Sequence, residues 1–400
     1  EDYLKKAGFF GLSFGKPWDL TLGEKYYVNH HGSTIFAFTM PERAERMGDI
    51  RIAAAHTDFP CLRIKPNPDV KNASYAGVNV EVYGGAILNT WLDRPLSASG
   101  RVALRSDDVF HPQMRLVDFK KPFLTIPNLA IHMNREVNKG VELNRQKDML
   151  PVFGLEDSEE FLTRLAERLQ VKKEDILEYE LGLYNTDTGD YLGLSEEFIS
   201  SPRLDNLTSV QAITTAMIEG GRERGINVAA YFDHEEIGSR TKQGAGSTFL
   251  SAVLERILLA LDGGRDQFLE AYGDSILLSV DVAHGIHPNH TDKHDPTNQN
   301  VLGKGVCIKE ACSQSYATDS EAVAIVQQIC DSGEIPCQKF VNRSDSAGGS
   351  TLGSIASSIL PIRTVDIGVP LLAMHSSREL MGTADQESLV RLVQAFYSLS

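Results

Sequence analysis

Five stretches of this 400-residue chain carry side chains able to hold a cation and activate water. The first is His56-Thr57-Asp58. A histidine ligand usually donates its second ring N–H to a carboxylate, which fixes the tautomer. Asp58 lies two residues on and could orient His56, so it is assigned to the catalytic group. The second is Asp205, in Ser201-Pro202-Arg203-Leu204-Asp205-Asn206. A helix start would equally favour an acid there, but a carboxylate can also bridge two metals, which an imidazole cannot. The third, Asp233-His234-Glu235-Glu236, follows the apolar run INVAAYF. Consecutive glutamates beside a buried strand are costly without partners. Neighbouring side chains diverge, so Glu236 is assigned to metal and Glu235 to a general base. An exposed acidic turn is the competing reading.

The fourth stretch opens at Asp281 and carries His284, His287, His290 and His294, against 11 histidines in the whole chain. All could bind metal. The pattern assigns Asp281 to metal and His284 to substrate, with His287, His290 and His294 structural. The fifth is His375, in Ala373-Met374-His375-Ser376-Ser377-Arg378-Glu379. A lone histidine after an apolar run is more often a packed core residue, and here the other four stretches carry the reading.

Short apolar runs must position these groups. Arg51 to Ala55, Ile226 to Phe232, Ser275 to Val280 and Pro370 to Met374 each lead directly into one of the stretches. Such runs fit buried parallel strands, and ligands in open α/β sheets bind beyond the carboxyl ends of the strands. Helices are expected from Leu207 to Glu219, from a capping box at Thr318-Asp319-Ser320-Glu321 through Ile329, and from Asp385 to Tyr397. Helices alternating with strands predict an α/β class, a doubly wound and mostly parallel sheet. The middle of the chain differs. Alternation in Val78 to Tyr83, Arg101 to Leu104 and Ile176 to Leu183, with runs at Met114 to Phe119 and Leu124 to Ile126, reads as β-rich. The expected organisation is a catalytic domain from 1–89 and 199–400, interrupted by a β-rich insertion at 90–198.

A formal net charge of −15 argues against nucleic acid as a partner, since phosphate binding needs clustered Lys and Arg. No run approaches the roughly 18 apolar residues of a membrane helix. Five cysteines, an odd count without a C-x-x-C pair, point to free thiols and a reducing, cytoplasmic setting. Glu1 to Lys6 reads like the middle of a helix rather than a leader, which suggests a missing native start.

The stretches AAAHTDFPCLRIKP, YGGAILNTWLDRPLS, SPRLDN, DHEEIGS, SVDVAHGIHPN and AMHSSREL occur in an order that resembles the aspartyl aminopeptidase family of dinuclear zinc metallopeptidases. The resemblance runs over essentially the whole chain. It implies that His56 and Asp281 bind one metal, Glu236 and His375 the other, with Asp205 bridging and Glu235 as base. It further implies that the β-rich insertion forms dimers that assemble into a dodecamer. By the same resemblance His132 reaches a neighbouring subunit's site, while His284 and Lys309 contact substrate. Lys309 would favour an N-terminal Asp or Glu. Two features depart from the family pattern: Ser315 stands where relatives often carry Arg, and the loop from Ser344 to Gly349 is close to the pattern but not identical.

The implied reaction removes the N-terminal residue of peptides. Two divalent ions, zinc with manganese or cobalt as alternatives, would lower the pKa of a bridging water toward ~7. Glu235 would take its proton, and a metal and His132 would stabilise the oxyanion. A broad-specificity aminopeptidase of the same fold is the alternative, and an inactive peptide-binding scaffold is another. Gly349-Ser350-Thr351-Leu352-Gly353 misses the serine-hydrolase spacing. Gly244-Ala245-Gly246 reaches Phe249 where a dinucleotide-binding loop needs glycine.

Overall fold

The computed structural model describes residues 1–43, 49–261 and 263–399. Its centre is a nine-stranded sheet. In spatial order the strands are Phe10–Leu12, Lys25–His30, Thr34–Thr39, Ile226–Phe232, Ile50–His56, Ile276–Val280, Arg363–Gly368, Val306–Glu310 and Cys337–Val341. Five neighbouring pairs are parallel and three antiparallel, so the expected mostly parallel sheet is present.

Both faces of this sheet are covered, which explains its continuous apolar strands. Ala53 and Ala55 pack with the helices Leu204–Glu219, Ser320–Ser332 and Thr383–Ser398. Ile52 and Ala54, pointing the other way, pack with Phe249–Leu259, Arg265–Asp274 and Leu352–Ile359. The helix expected after Thr318 is capped one residue later than its sequence signal. Asp319 is the N-cap and accepts from the Ala322 amide at 2.9 Å. The Thr318 hydroxyl instead accepts from the Asp366 amide, tying the turn to the sheet.

A second sheet has six strands, all antiparallel: Gln113–Asp118, Leu96–Leu104, Ile176–Asn185, Cys61–Asn72, Tyr75–Tyr83 and Val152–Leu155. The amphipathic helix Phe161–Leu169 covers one face. The β-rich part therefore starts near Cys61, not at residue 90. Cys61–Asn72 and Tyr75–Tyr83, expected in the catalytic part, hydrogen-bond inside this sheet. The alternation in Tyr75–Tyr83 reflects one buried and one wetter face, which parallel central strands lack.

A third sheet of five strands corrects two further expectations. It pairs Asp190–Leu192, Phe198–Ser201, Glu379–Gly382, Pro370–Leu372 and Ala283–His284. Residues 190–198 thus join it rather than the six-stranded sheet. The run leading to His375 also lies here; the central-sheet strand of that region is the preceding Arg363–Gly368. A short apolar run fits either sheet equally well.

Candidate metal centre

Three adjacent parallel strands aim their carboxyl ends at one point. Ile50–His56 runs between Ile226–Phe232 and Ile276–Val280, with Phe232 beside His56. Past their ends come His56, the Asp233–Glu236 turn and Asp281. Asp205 enters from the start of the helix Leu204–Glu219, and His375 from the turn after Pro370–Leu372. All five expected ligands therefore meet.

His56 is 1% exposed. Its Nδ1 lies 3.0 Å from the Asp58 carbonyl oxygen. In either charge state Nδ1–H donates there, and Nε2 faces 3.3 Å to Asp205 Oδ1 and 3.6 Å to Asp281 Oδ1. His375 is held similarly: its Nδ1 lies 3.2 Å from the Gly85 carbonyl oxygen. Its Nε2 is 3.3 Å from Asp205 Oδ2 and 3.4 Å from Glu236 Oε2. These separations exceed the ~2.9 Å of an ordinary N–H···O bond. Two donors about 2.0–2.2 Å from one tetrahedral ion stand roughly 3.3–3.6 Å apart.

Two further observations fit a cation. Among the described residues, Asp205 Oδ1 and Glu236 Oε1 are buried without a hydrogen-bond partner, an arrangement that proteins avoid. His56, Asp205 and Glu236 offer ligand atoms within 4.8 Å of one another. The electrostatics agree. Burial and then the Asp205 charge push the Glu236 carboxyl up to about 9. Burial opposes charge on His375, but Asp205 and Glu236 outweigh it and raise its pKa to about 9. Burial likewise opposes charge on His56, and Asp205, Asp281 and Asp58 overcome it. For Asp205, burial is outweighed by His375 and His56, which hold its carboxyl below the usual range. So much negative charge in one buried volume calls for positive charge.

Glu235 sits in the same field. Burial pushes its carboxyl up to about 7; His56 opposes, and Asp281, Asp58 and Asp205 add to the rise. Asp58 reaches His56 twice: its carbonyl oxygen at 3.0 Å and its carboxylate Oδ1 at 3.5 Å from the same Nδ1. The carboxylate accepts from the Glu235 and Glu236 amides, both at 3.1 Å, and from the Tyr83 hydroxyl at 2.7 Å. It anchors the turn that carries both glutamates.

His284 and Lys309 lie beside the cluster, within the field of its charged groups. His284 borders a cavity of about 370 Å³ with His375, Met374, Phe340, Lys293 and Arg343. Desolvation there, then Lys309, lowers its pKa. Lys309 itself is 1% exposed. Its Nζ donates to the Val282 carbonyl at 3.1 Å and lies 5.0 Å from the Tyr316 ring centroid. Burial opposes its charge, but Asp281 and Asp366 hold it protonated. His132 is exposed on the β-rich part. A cavity of about 1020 Å³ opens at the opposite strand ends, around Arg51, Ile276 and Arg363, away from these groups.

Sequence reasoning missed three supports. Glu379 is buried behind the site and accepts from the backbone amides of Asp205 and His375. Tyr83 supports Asp58. Gly85 lets the chain approach His375: a Cβ there would sit 3.2 Å from its Nδ1. The YGG and SSREL stretches held these residues, but nothing local told their roles.

Comparison with known proteins adds an independent line. The family model described as Aminopeptidase I zinc metalloprotease (M18) matches residues 1–397. A probable M18 family aminopeptidase 2 of Clostridium novyi (strain NT) is 46% identical over 402 residues, spanning 99% of this chain and 93% of that protein. A chain in the cryo-EM structure of the Ape4 and Nbr1 complex is 34% identical. It superposes with a TM-score of 0.93 over 99% of this chain and 81% of that one. The fold also matches the S. cerevisiae mApe1 dodecamer, with a TM-score of 0.83 and 24% identity over 99% of this chain and 91% of that one. Among the described residues no helix is long and apolar enough to cross a membrane. A family match along nearly the whole chain and a buried donor cluster suited to a cation lead to one conclusion: this chain belongs to the M18 family and is a metal-dependent aminopeptidase.

Proposed function

We propose that the centre holds two divalent cations sharing Asp205, and that it removes the N-terminal residue of peptides with Glu235 as general base. One observation carries this reading: the two oxygens of Asp205 face different histidines, Oδ1 toward His56 and Oδ2 toward His375. Asp281 completes the His56 side and Glu236 the His375 side. His and carboxylate donors suit zinc, manganese or cobalt. Bound there, such ions supply Lewis acidity and make water a nucleophile at neutral pH. Glu235 takes the proton of the attacking water and returns it to the leaving amine. Burial raises its carboxyl, which helps it to hold the proton between the two transfers. The carboxylates of the centre attract the free α-ammonium of the peptide, which favours cleavage at the N-terminus.

Broad side-chain selection is better supported than the acidic preference implied by the resemblance. The Lys309 ammonium is committed to a carbonyl and an aromatic ring and balanced by Asp281 and Asp366. The cavity beside His375 mixes Phe340 and Met374 with Lys293 and Arg343. His284 borders that cavity and is proposed to contact substrate. We further propose pairing through the β-rich part and assembly into a dodecamer, the state of the S. cerevisiae mApe1 structure. Exposed Phe110 (89%) and Leu116 (80%) support such an interface. His132 would then act in a neighbour's site. Free cysteines are in keeping with a reducing, cytoplasmic setting.

The test is titration of the metal-stripped protein with zinc while hydrolysis of Leu- and Glu-anilides is followed. Activity should rise with filling to two equivalents per chain and extend to both substrates. Saturation at one equivalent would refute the shared carboxylate.

A further inference from the structure

We propose that Glu379 is the positioning residue that fixes the spacing between Asp205 and His375. The inference rests on the two-cation reading above. Glu379 opens the strand Glu379–Gly382, pairs with Ser201 and is 3% exposed. Its Oε2 accepts from the Asp205 amide at 3.0 Å, and its Oε1 from the His375 amide at 2.8 Å. One rigid carboxylate thus ties together the backbones of two residues far apart in sequence.

Neither amide has a regular partner. Asp205 has non-helical angles inside its helix, φ −78° and ψ 109°. His375 has φ +68°, in the left-handed region that a non-glycine residue seldom occupies. Without Glu379 both N–H groups would be orphaned beside the site. Mere space-filling would not select this residue, because burying a carboxylate among acids is costly. What a carboxylate offers is two acceptors held at a fixed separation. Glutamine cannot copy this: one of its ends is an NH₂, which would face an amide N–H. The consequence reaches the cations. Asp205 and His375 touch at 3.3 Å through Oδ2 and Nε2, and a loosened backbone on either side spoils that spacing.

The test compares Glu379→Gln with Glu379→Asp, which keeps the carboxyl group but is too short to span both amides. Cation affinity is measured by chelator competition, and melting temperature and kinetics are followed in parallel. Both variants should bind cation about ten- to hundred-fold more weakly, the usual effect of losing a group that orients a ligand. Saturating metal should restore most of kcat and leave KM near wild type. If one variant fails to fold, the other decides. Wild-type cation affinity with only a lower melting temperature would make Glu379 merely structural and overturn the proposal. Asp205→Asn serves as control. If it retains both cations at wild-type affinity, the two-cation reading itself has failed. If it loses them while the Glu379 variants do not, only the positioning role has failed.

Discussion

The Glu235 amide donates to Asp58 Oδ1 at 3.1 Å, so the proposed base is located by a residue 177 positions earlier in the chain. The Glu236 amide and the Tyr83 hydroxyl complete the cradle around the same carboxylate. Asn in place of Asp58 offers one acceptor where three donors converge. Asp58→Asn should lower kcat about ten- to hundred-fold and cost about 1–3 kcal/mol of stability for the unpaired donors. Denaturant unfolding and steady-state kinetics check both. Wild-type kcat would mean that the turn holds its shape unaided.

The two glutamates should separate cleanly. Glu235→Gln is expected to abolish turnover with cation content nearly intact, whereas Glu236→Gln should weaken cation binding. Elemental analysis beside single-turnover kinetics tells them apart. Near-normal kcat in Glu235→Gln would swap the assignments.

Activity should also fall toward acid. A general base must be ionised, so protonation of Glu235 removes it as pH drops through its pKa. That pKa is about 7 for the protein groups alone, and nearby cations favour the charged form and move the limb lower. A kcat/KM profile with no acid limb between ~4 and 7 would contradict this role.

Lys309→Met should act on stability rather than on selectivity. Removing the ammonium leaves Asp281 and Asp366 under-compensated in a buried setting, a loss of about 3 kcal/mol. Its effect on kcat/KM should be similar for Leu- and Glu-anilides. A selective loss with the Glu substrate would restore Lys309 as the acidic selector.

Assembly has its own test. If His132 completes a neighbour's site, inactive His132→Ala and inactive Glu235→Gln chains should recover activity after subunit exchange. Full activity in an isolated monomer would refute it.

The legible parts of the site were those with local cause. His56, Glu236 and Asp281 follow apolar strands, and polar groups at buried strand ends stand out. His375 was legible as a member of the cluster but not in its sheet, because Pro370–Leu372 is too short to declare its partners. The start of the β-rich part was misplaced because Cys61–Asn72 continues almost directly from a central strand, and only pairing reveals the change of sheet. The resemblance implied a substrate contact for Lys309, and sequence alone could not show that its ammonium also points at the Val282 carbonyl. Glu379 was hidden because its bond to Asp205 spans 174 residues. The stretch Ser376-Ser377-Arg378-Glu379 alone gives no reason for a buried acid.

The most direct test of the shared-carboxylate centre is cation stoichiometry in wild type and Asp205→Asn, measured by elemental analysis beside peptidase activity before and after chelation. A carboxylate shared by two cations predicts two divalent ions per wild-type chain, loss of activity on chelation with recovery on metal return, and weakened binding of both ions in Asp205→Asn. Full activity in chelated, metal-free protein would contradict it.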